Sequence, residues 1–295
     1  MSTDYLRAAS LPQALEALAA AGAGARVMAG GTDLMVELRQ MRLKGQEPPV
    51  LLVDVAGLPE LAGARLEGNA LWLGAGLTFS QCQEETLIQE RLPLLREAAR
   101  SVGSLQIRNV ATLGGNLGNQ SAAADGVTVL VGLGAEALLA TAKGQRQVAV
   151  EELAAKSQTL KPGEIIVGFT LPAPACARAA AFCKVIRRQA VGIARFNIAA
   201  QLALDVQGLI SAANIGVGAV FPSPRRVPQA EELLLGQRPE PGLWARAARA
   251  ISDGMLAACG ARPSMVYKEP ALTRVAARTL ELAWRRGLDQ EEARS

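Results

Sequence analysis

The spacing of hydrophobic and polar positions changes several times along the chain, and each change marks an element. Ser10 precedes a segment with Pro12 in its first turn and Leu15 and Leu18 on one face, predicting a short helix capped by Ser10 and ended by Gly22. Arg26 to Ala29 follows as a strand. Gly30-Gly31-Thr32-Asp33 then makes a tight turn into a second helix, where Leu34, Leu38 and Met41 recur at helical spacing. Pro48-Pro49 stops that helix, and Val50 to Val55, rich in branched residues, reads as a strand.

From Gly57 to about Pro172 short strands alternate with helices: Leu71 to Leu73, Glu136 to Ala140 and Val148 to Val150 are predicted strands, and Leu92 to Arg100 a helix. Leu171-Pro-Ala-Pro-Ala175 reads as a boundary, because its two prolines continue neither a sheet nor a helix. Beyond it, Ala180 to Ile186, Phe196 to Val206 and Leu209 to Val217 are predicted antiparallel strands, the last two joined as a hairpin near Gln207-Gly208. Helices are predicted over Leu243 to Ala258 and Leu272 to Arg286. The expected organisation is α+β in three parts, residues 1–57, 58–174 and 175–295.

Composition narrows the chemistry. Over 295 residues, 50% hydrophobic and 20% charged, the chain has the balance of a folded protein. Its net charge of +4 is spread rather than gathered in a basic arm, so nucleic-acid binding gains no support. The absence of histidine excludes Ser-His and Cys-His nucleophiles, His-ligated zinc and an imidazole proton shuttle. Cys82, Cys176, Cys183 and Cys259 form no C-x-x-C pair, so they read as buried free thiols and not as cluster or zinc ligands. No apolar run is long enough to span a membrane, and MSTDYLRAASLPQ lacks the pattern of a secretory leader, so a reducing cytoplasm is the expected compartment.

Two glycine-bearing segments carry the candidate chemistry. In Val27-Met28-Ala29-Gly30-Gly31-Thr32-Asp33-Leu34 the paired glycines let successive amides face one side, beside the positive end of a helix, which suits a pyrophosphate. The same residues also make an ordinary tight turn with Thr32 or Asp33 as cap. Arg108 to Asp125 gathers Asn109, Thr112, Gly114, Gly115, Asn116, Gly118, Asn119 and Ser121 with a single acid, a density of neutral hydrogen-bonding groups that suits a polar ligand or a surface loop. Val110, Leu113 and Leu117 argue that part of it is buried. Neither segment is a Rossmann fingerprint. Gly22-Ala-Gly24 precedes a strand, while Gly74-Ala-Gly76 and Gly216-Val-Gly218 have Phe79 and Phe221 where the third glycine belongs. No phosphate loop of the G-x-x-x-x-G-K-[ST] kind occurs.

Taken in order, Ala29 to Leu34 and Ile107 to Asp125 resemble the two FAD-contacting segments of the medium subunits of the molybdenum hydroxylases, the group of xanthine dehydrogenase and carbon monoxide dehydrogenase. Gly163-Glu164-Ile165-Ile166, Phe182-x-Lys184-x-x-x-Arg188, Pro222-x-Pro224-x-Arg226 and Tyr267-Lys268 extend the resemblance over nearly the whole chain, with a lean toward the xanthine dehydrogenase branch. The resemblance implies a vanillyl-alcohol-oxidase-type FAD-binding domain of two subdomains and a C-terminal α+β domain built from an antiparallel sheet with helices. It implies that amides of Gly30, Gly31, Thr32, Asp33 and Leu34 hold the pyrophosphate. Thr112, Gly115, Asn116 and Asn119 would line the second segment, Asp125 would accept from ribityl or adenosine hydroxyls, and Lys184 would stand by the isoalloxazine pyrimidine edge. Val27, Ala29, Ile107, Ser121 and Ile166 complete the implied cofactor set. From sequence alone Lys184 is equally a solvated strand lysine. The implied function is electron transfer through FAD, with an iron–sulfur small subunit and a molybdenum-cofactor large subunit as partners and NAD or another acceptor. Gln120, Ala122 and Ala124 depart from the family wording and keep open a flavin-free scaffold or maturation subunit of the same fold; the loop Gln189 to Ile193 lacks the acid that many dehydrogenase members carry.

Overall fold

The computed structural model describes residues 3–156, 160–172, 179–188, 191–260 and 262–292. Ala173 to Ala175 of the expected boundary, Cys176 and the Gln189-Ala190 part of the loop after Arg188 lie outside these residues.

Local signals act where the sequence puts them. The Ser10 hydroxyl accepts from the Gln13 amide at 3.4 Å, starting the helix Leu11–Ala21, and Gly22 ends it at φ 55°. The helix buries Leu11, Ala14, Leu15 and Leu18 against a parallel sheet of Asp4–Arg7, Leu51–Asp54 and Ala25–Met28, with Leu51–Asp54 in the centre. Val27 and Val53 are register partners in that sheet. The strand Asp4–Arg7 was not expected, since its sequence Asp-Tyr-Leu-Arg is short and mostly polar.

A second, antiparallel sheet runs in the order Ala64–Glu67, Ala70–Gly74, Ile165–Pro172, Glu136–Thr141, Gly144–Ala149. The strand expected at Val148 to Val150 is longer toward its start, and Val150 opens a short helix instead, Val150–Ala154. Side chains divide between its faces: Trp72, Ile165 and Val167 join the first sheet's core, whereas Leu71, Leu73, Phe169 and Leu171 face a layer of helices.

That layer includes Pro93–Ser101, Leu113–Gly118 and Asp125–Gly132, and every residue of Asp125–Gly132 is buried. Burial on every side, with apolar Val127, Val129, Leu130 and Val131 close together, explains why periodicity did not reveal it as a helix. On its far side lies a third sheet, antiparallel, ordered Arg225–Arg226, Ile210–Gly218, Phe196–Leu204, Ala179–Val185. The predicted hairpin turn is present: Asp205 Oδ1 accepts from the amides of Gln207 and Leu209, both at 2.9 Å, and Gly208 has φ 76°. Helices Pro241–Cys259 and Met265–Glu292 cover the outer face of this sheet. The second begins earlier than expected and carries Pro270 near its start, where the neighbouring Val266 is exposed to solvent.

Two features lock the third sheet to the helical layer. Gly216 lies so close to helix Asp125–Gly132 that a Cβ would strike the Thr128 carbonyl and come within 3.0 Å of the Gly132 backbone. Ala179–Val185 is a sheet edge, and an ion pair caps it: Glu97 accepts from the Phe182 amide at 3.0 Å while Arg286 donates to the Ala180 carbonyl at 3.0 Å. Arg286 and Glu97 are themselves joined at 2.7 and 3.0 Å, so they stand in for the missing neighbour strand.

Gly216→Ala should therefore lower the melting temperature, with a loss of about 2 kcal/mol in denaturant titration, because the added methyl overpacks a backbone-to-backbone contact. The same change at exposed Gly236, where the left-handed φ and not crowding is the cost, should cost about 1 kcal/mol.

Candidate functional site

The turn after Ala25–Met28 meets the segment before helix Leu113–Gly118 through backbone alone. A Cβ on Gly30 would fall well inside contact distance of the Val110 carbonyl oxygen and 3.0 Å from Ala111 Cα. Gly31 beside it takes φ 66°, in the left-handed region that glycine occupies without strain. The second segment is fixed from below: the amides of Leu113 and Gly114 donate to Leu77 and Ala75 carbonyls, and the amide of Phe79 donates to Ala111. The two glycine-bearing segments are thus neighbours, a result their distance in sequence did not dictate.

Between them opens a cleft of about 620 Å³. Val27, Ala29, Gly30, Gly31, Thr32, Asp33 and Leu34 form one wall. Ile107, Thr112, Gly115, Asn116 and Asn119 contribute the facing wall, with Ile166 at its far end. Ser121, Asp125 and Lys184 are not part of these walls. Ser121 accepts from the Ala123 amide at 3.3 Å and shapes the turn into helix Asp125–Gly132.

The amides of Gly30, Gly31, Thr32, Asp33 and Leu34 donate to no carbonyl or side chain among the described residues, and Asp33 makes no side-chain cap on helix Leu34–Leu43. They are free donors bordering the cleft, beside the positive end of that helix. This donor set fits a diphosphate, and the glycines keep Cβ atoms out of its way.

The polar segment is partly helical: it contains the short helix Leu113–Gly118, flanked by turns and irregular stretches. Thr112 caps helix Leu113–Gly118 by accepting from the Gly115 amide at 3.0 Å. Asn116 Oδ1 accepts from the Val127 amide at 3.2 Å, capping helix Asp125–Gly132 from outside and leaving its NH₂ group for other partners. Arg108 is spent on structure: it donates to the Val102 and Gly103 carbonyls at 3.1 and 3.2 Å, closing the end of helix Pro93–Ser101. Gln120, at φ 50°, lines the cleft but turns its amide to the Leu153 carbonyl at 3.1 Å.

Residues that sequence reasoning missed complete the walls, notably Gly76, Phe79, Val102 and Lys161. Glu164, which entered only through the family wording, lines the cleft and is held by Arg146 at 2.7 and 2.9 Å and by the Lys161 amide at 2.8 Å. Burial pushes its carboxyl up, but the Arg146 hydrogen bond, the Lys161 amide and both charges outweigh this and leave it below its ordinary value.

Asp125 and Lys184 meet away from the walls, at 2.5 Å, with the Lys184 ammonium also donating to the Ser101 carbonyl at 2.9 Å. The Lys184 side chain is 9% exposed, so it is not a solvated strand lysine. Burial raises the Asp125 carboxyl above its ordinary value, opposed by Lys184 and by hydrogen bonds from Asn197 and Ser101. Asn197 was not singled out from sequence, although a polar residue amid the apolar run of Phe196–Leu204 signals a buried group needing a partner.

Of the cysteines, Cys82 is fully buried, its thiol pushed up to about 12 by desolvation, whereas Cys183 and Cys259 are only half-buried. No group of acidic or sulfur ligands among the described residues is arranged to hold a metal ion, and none of their helices is long and apolar enough to cross a membrane.

Comparison with known proteins converges on one group. Residues 1–174 match the family of the FAD binding domain in molybdopterin dehydrogenase, and residues 181–282 match the CO dehydrogenase flavoprotein C-terminal domain. The chain is 32% identical to the 6-hydroxypseudooxynicotine dehydrogenase complex subunit alpha of Paenarthrobacter nicotinovorans, over 99% of this chain and 98% of that one. It is 30% identical to the nicotinate dehydrogenase FAD-subunit of Eubacterium barkeri, over 83% of each. The structure of carbon monoxide dehydrogenase from Hydrogenophaga pseudoflava superposes with a TM-score of 0.84 at 27% identity, covering 97% of this chain and 98% of that one. With both of its parts matched and a glycine-built cleft between the two segments that carry the likeness, the chain belongs to the FAD-binding medium subunits of the molybdenum hydroxylases, as an oxidoreductase subunit.

Proposed function

We propose that the cleft holds the diphosphate-bearing part of FAD, and that this chain is the electron-transfer subunit of a complex with an iron–sulfur small subunit and a molybdenum-cofactor large subunit. The single observation that carries this is the row of unpartnered amides from Gly30 to Leu34 facing Thr112, Gly115, Asn116 and Asn119 across one cleft. FAD exchanges electrons singly or in pairs, and so links one-electron donors such as iron–sulfur clusters to a two-electron acceptor such as NAD.

The chain's own residues bind and orient. The Gly30 to Leu34 amides donate to the diphosphate without bringing a counter-charge, so orientation comes from fixed backbone and not from mobile side chains. Val27, Ala29, Ile107 and Ile166 supply apolar wall against the flat ring systems, and Thr112, Asn116 and Asn119 the polar groups. Ser121 acts through the turn it shapes. Lys184 is the proposed cation by the isoalloxazine pyrimidine edge, where positive charge favours the reduced ring; it acts from behind the described walls, and Asp125 at 2.5 Å offsets part of its charge. Beside the cleft residues Leu34 and Ile107, the exposed apolar side chains of Met35, Val36, Leu105 and Val110 form a surface suited to a partner subunit. The division at residues 57 and 174 into two FAD subdomains and a C-terminal domain is part of the proposal, as is a reducing cytoplasmic setting, which the free thiols favour.

The full chain, purified, should be yellow with bound FAD; a colourless chain that takes up no FAD favours the flavin-free scaffold instead. Gly115→Val should weaken FAD binding at least about tenfold, a loss of about 1.4 kcal/mol, and because a Cβ there stands 3.0 Å from Thr112 Oγ1, the cap of the same helix, circular dichroism is read alongside to show that the fold is kept. Equilibrium dialysis with FAD checks this. Lys184→Met should keep most of the FAD but lower its midpoint potential in a redox titration; an unchanged potential removes Lys184 from the site.

A further inference from the structure

Three strands of the third sheet bring one residue each to the same row facing helix Asp125–Gly132. Lys184 pairs across to Asn197, and Asn197 pairs across to Gly218. Asn197 is fully buried, as is Thr128 of the helix above it. The row is built around a missing side chain. A Cβ on Gly218 would strike both the Asn197 Oδ1 and the Thr128 hydroxyl, so glycine at that position is what lets these two groups meet.

The hydrogen bonds in this space have one consistent direction. An ionised Asp125 can only accept, so Asn197 must turn its NH₂ toward it, as it does at 2.6 Å to Oδ1. The amide oxygen then faces Thr128 Oγ1 at 3.0 Å, whose single hydroxyl proton it shares with the Ala124 carbonyl at 3.1 Å. The other carboxylate oxygen is left for the Lys184 ammonium, whose second donor goes to the Ser101 carbonyl. Its third N–H has no acceptor among the described residues. The nearby charges on the outer edge of the same strand, Glu97 and Arg286, are engaged with each other.

We propose that Asn197 is a positioning residue for Lys184: locked by Thr128 in the room that Gly218 leaves, it anchors the Asp125 carboxylate and thereby fixes where the lysine ammonium stands. Its relevance to function rests on the reading of Lys184 as part of the FAD site. A donor on one oxygen keeps the carboxylate charged and aimed, and a charged, aimed carboxylate is what holds the buried ammonium in place. Without it, Asp125 keeps Lys184 and Ser101 but loses the donor that fixes Oδ1, and both groups gain freedom to rotate away.

The test is residue-resolved acetylation of the full chain, without added flavin, by an amine-acylating reagent and followed by peptide mass spectrometry. Lys268, half-buried and near the Ala219 carbonyl at 3.5 Å in the same sheet-and-helix unit, is the internal control. In Asn197→Ala, Lys184 should be acetylated about tenfold faster, the equivalent of one lost hydrogen bond to a charged group, while Lys268 keeps its rate. Thr128→Val, close in shape, should accelerate Lys184 by a smaller factor and decides the matter if Asn197→Ala does not fold. An unchanged Lys184 rate overturns the proposal, and so does equal acceleration of Lys184 and Lys268, which would mark general loosening. In flavin-loaded protein, Asn197→Ala should lower the midpoint potential, and an unchanged potential would likewise overturn the assignment. If the parent chain takes up no FAD, the FAD reading fails while the acetylation result still judges Asn197.

Discussion

The molecule turns on a contact between two stretches of backbone that only a residue without a Cβ permits. Gly30 abuts the Val110 carbonyl and the Ala111 Cα, and no rotamer choice could relieve a side chain placed there. Because the contact involves main chain on both sides, the cleft rim inherits the rigidity of what lies behind it. On one side that is the parallel sheet ending at Met28, and on the other the Leu77 and Ala75 carbonyls that hold Leu113 and Gly114. The amides from Gly30 to Leu34 then have no acceptor among the described residues and border the cleft.

A consequence is a division of labour inside the polar segment. Density of Asn, Thr and Gly suits a polar ligand or a surface loop. Several instead satisfy the ends of short helices, as Thr112 does for Gly115, Asn116 for Val127 and Arg108 for Val102 and Gly103. Short helices have a high proportion of unpaired end groups, and a layer built from several of them consumes caps. The groups left over for binding are then main-chain amides and the second half of each bifunctional side chain, such as the NH₂ of Asn116. A chain without histidine can manage such a site, because holding and orienting a redox cofactor calls for donors and shape and not for a side-chain nucleophile.

Helix Asp125–Gly132 joins the two halves of this design. Its far face meets the third sheet through glycines, Gly132 against Gly216, and its first residue, Asp125, reaches across to Lys184 and Asn197. Close approach and buried charge occur together because they share a cause: with glycine at Gly132, Gly216 and Gly218 in the seam, the helix comes near enough for a short Asp to reach the sheet. The capped edge at Glu97 and Arg286 protects the strand that carries Lys184, so the buried ammonium sits on a strand held from both sides.

By itself the sequence determined the elements whose signals are local. Ser10 and Gly22 bracket the first helix, Gly31 admits the left-handed turn, Asp205 and Gly208 turn the hairpin, and the two long C-terminal helices follow from their apolar spacing. It also carried the family likeness, because a wording of glycines and asparagines survives where backbone geometry leaves few substitutes. Tertiary structure alone decided what those residues touch. Nothing in a linear pattern says that Val110 is the neighbour of Gly30, that Asn116 caps a helix across a turn, or that Asn197 and Gly218 share a row with Lys184. Those facts arise from strand register and layer packing, which bring together groups far apart in sequence. A fully buried helix such as Asp125–Gly132 lacks even the amphipathic period that would have announced it, since burial on all sides erases the contrast between faces.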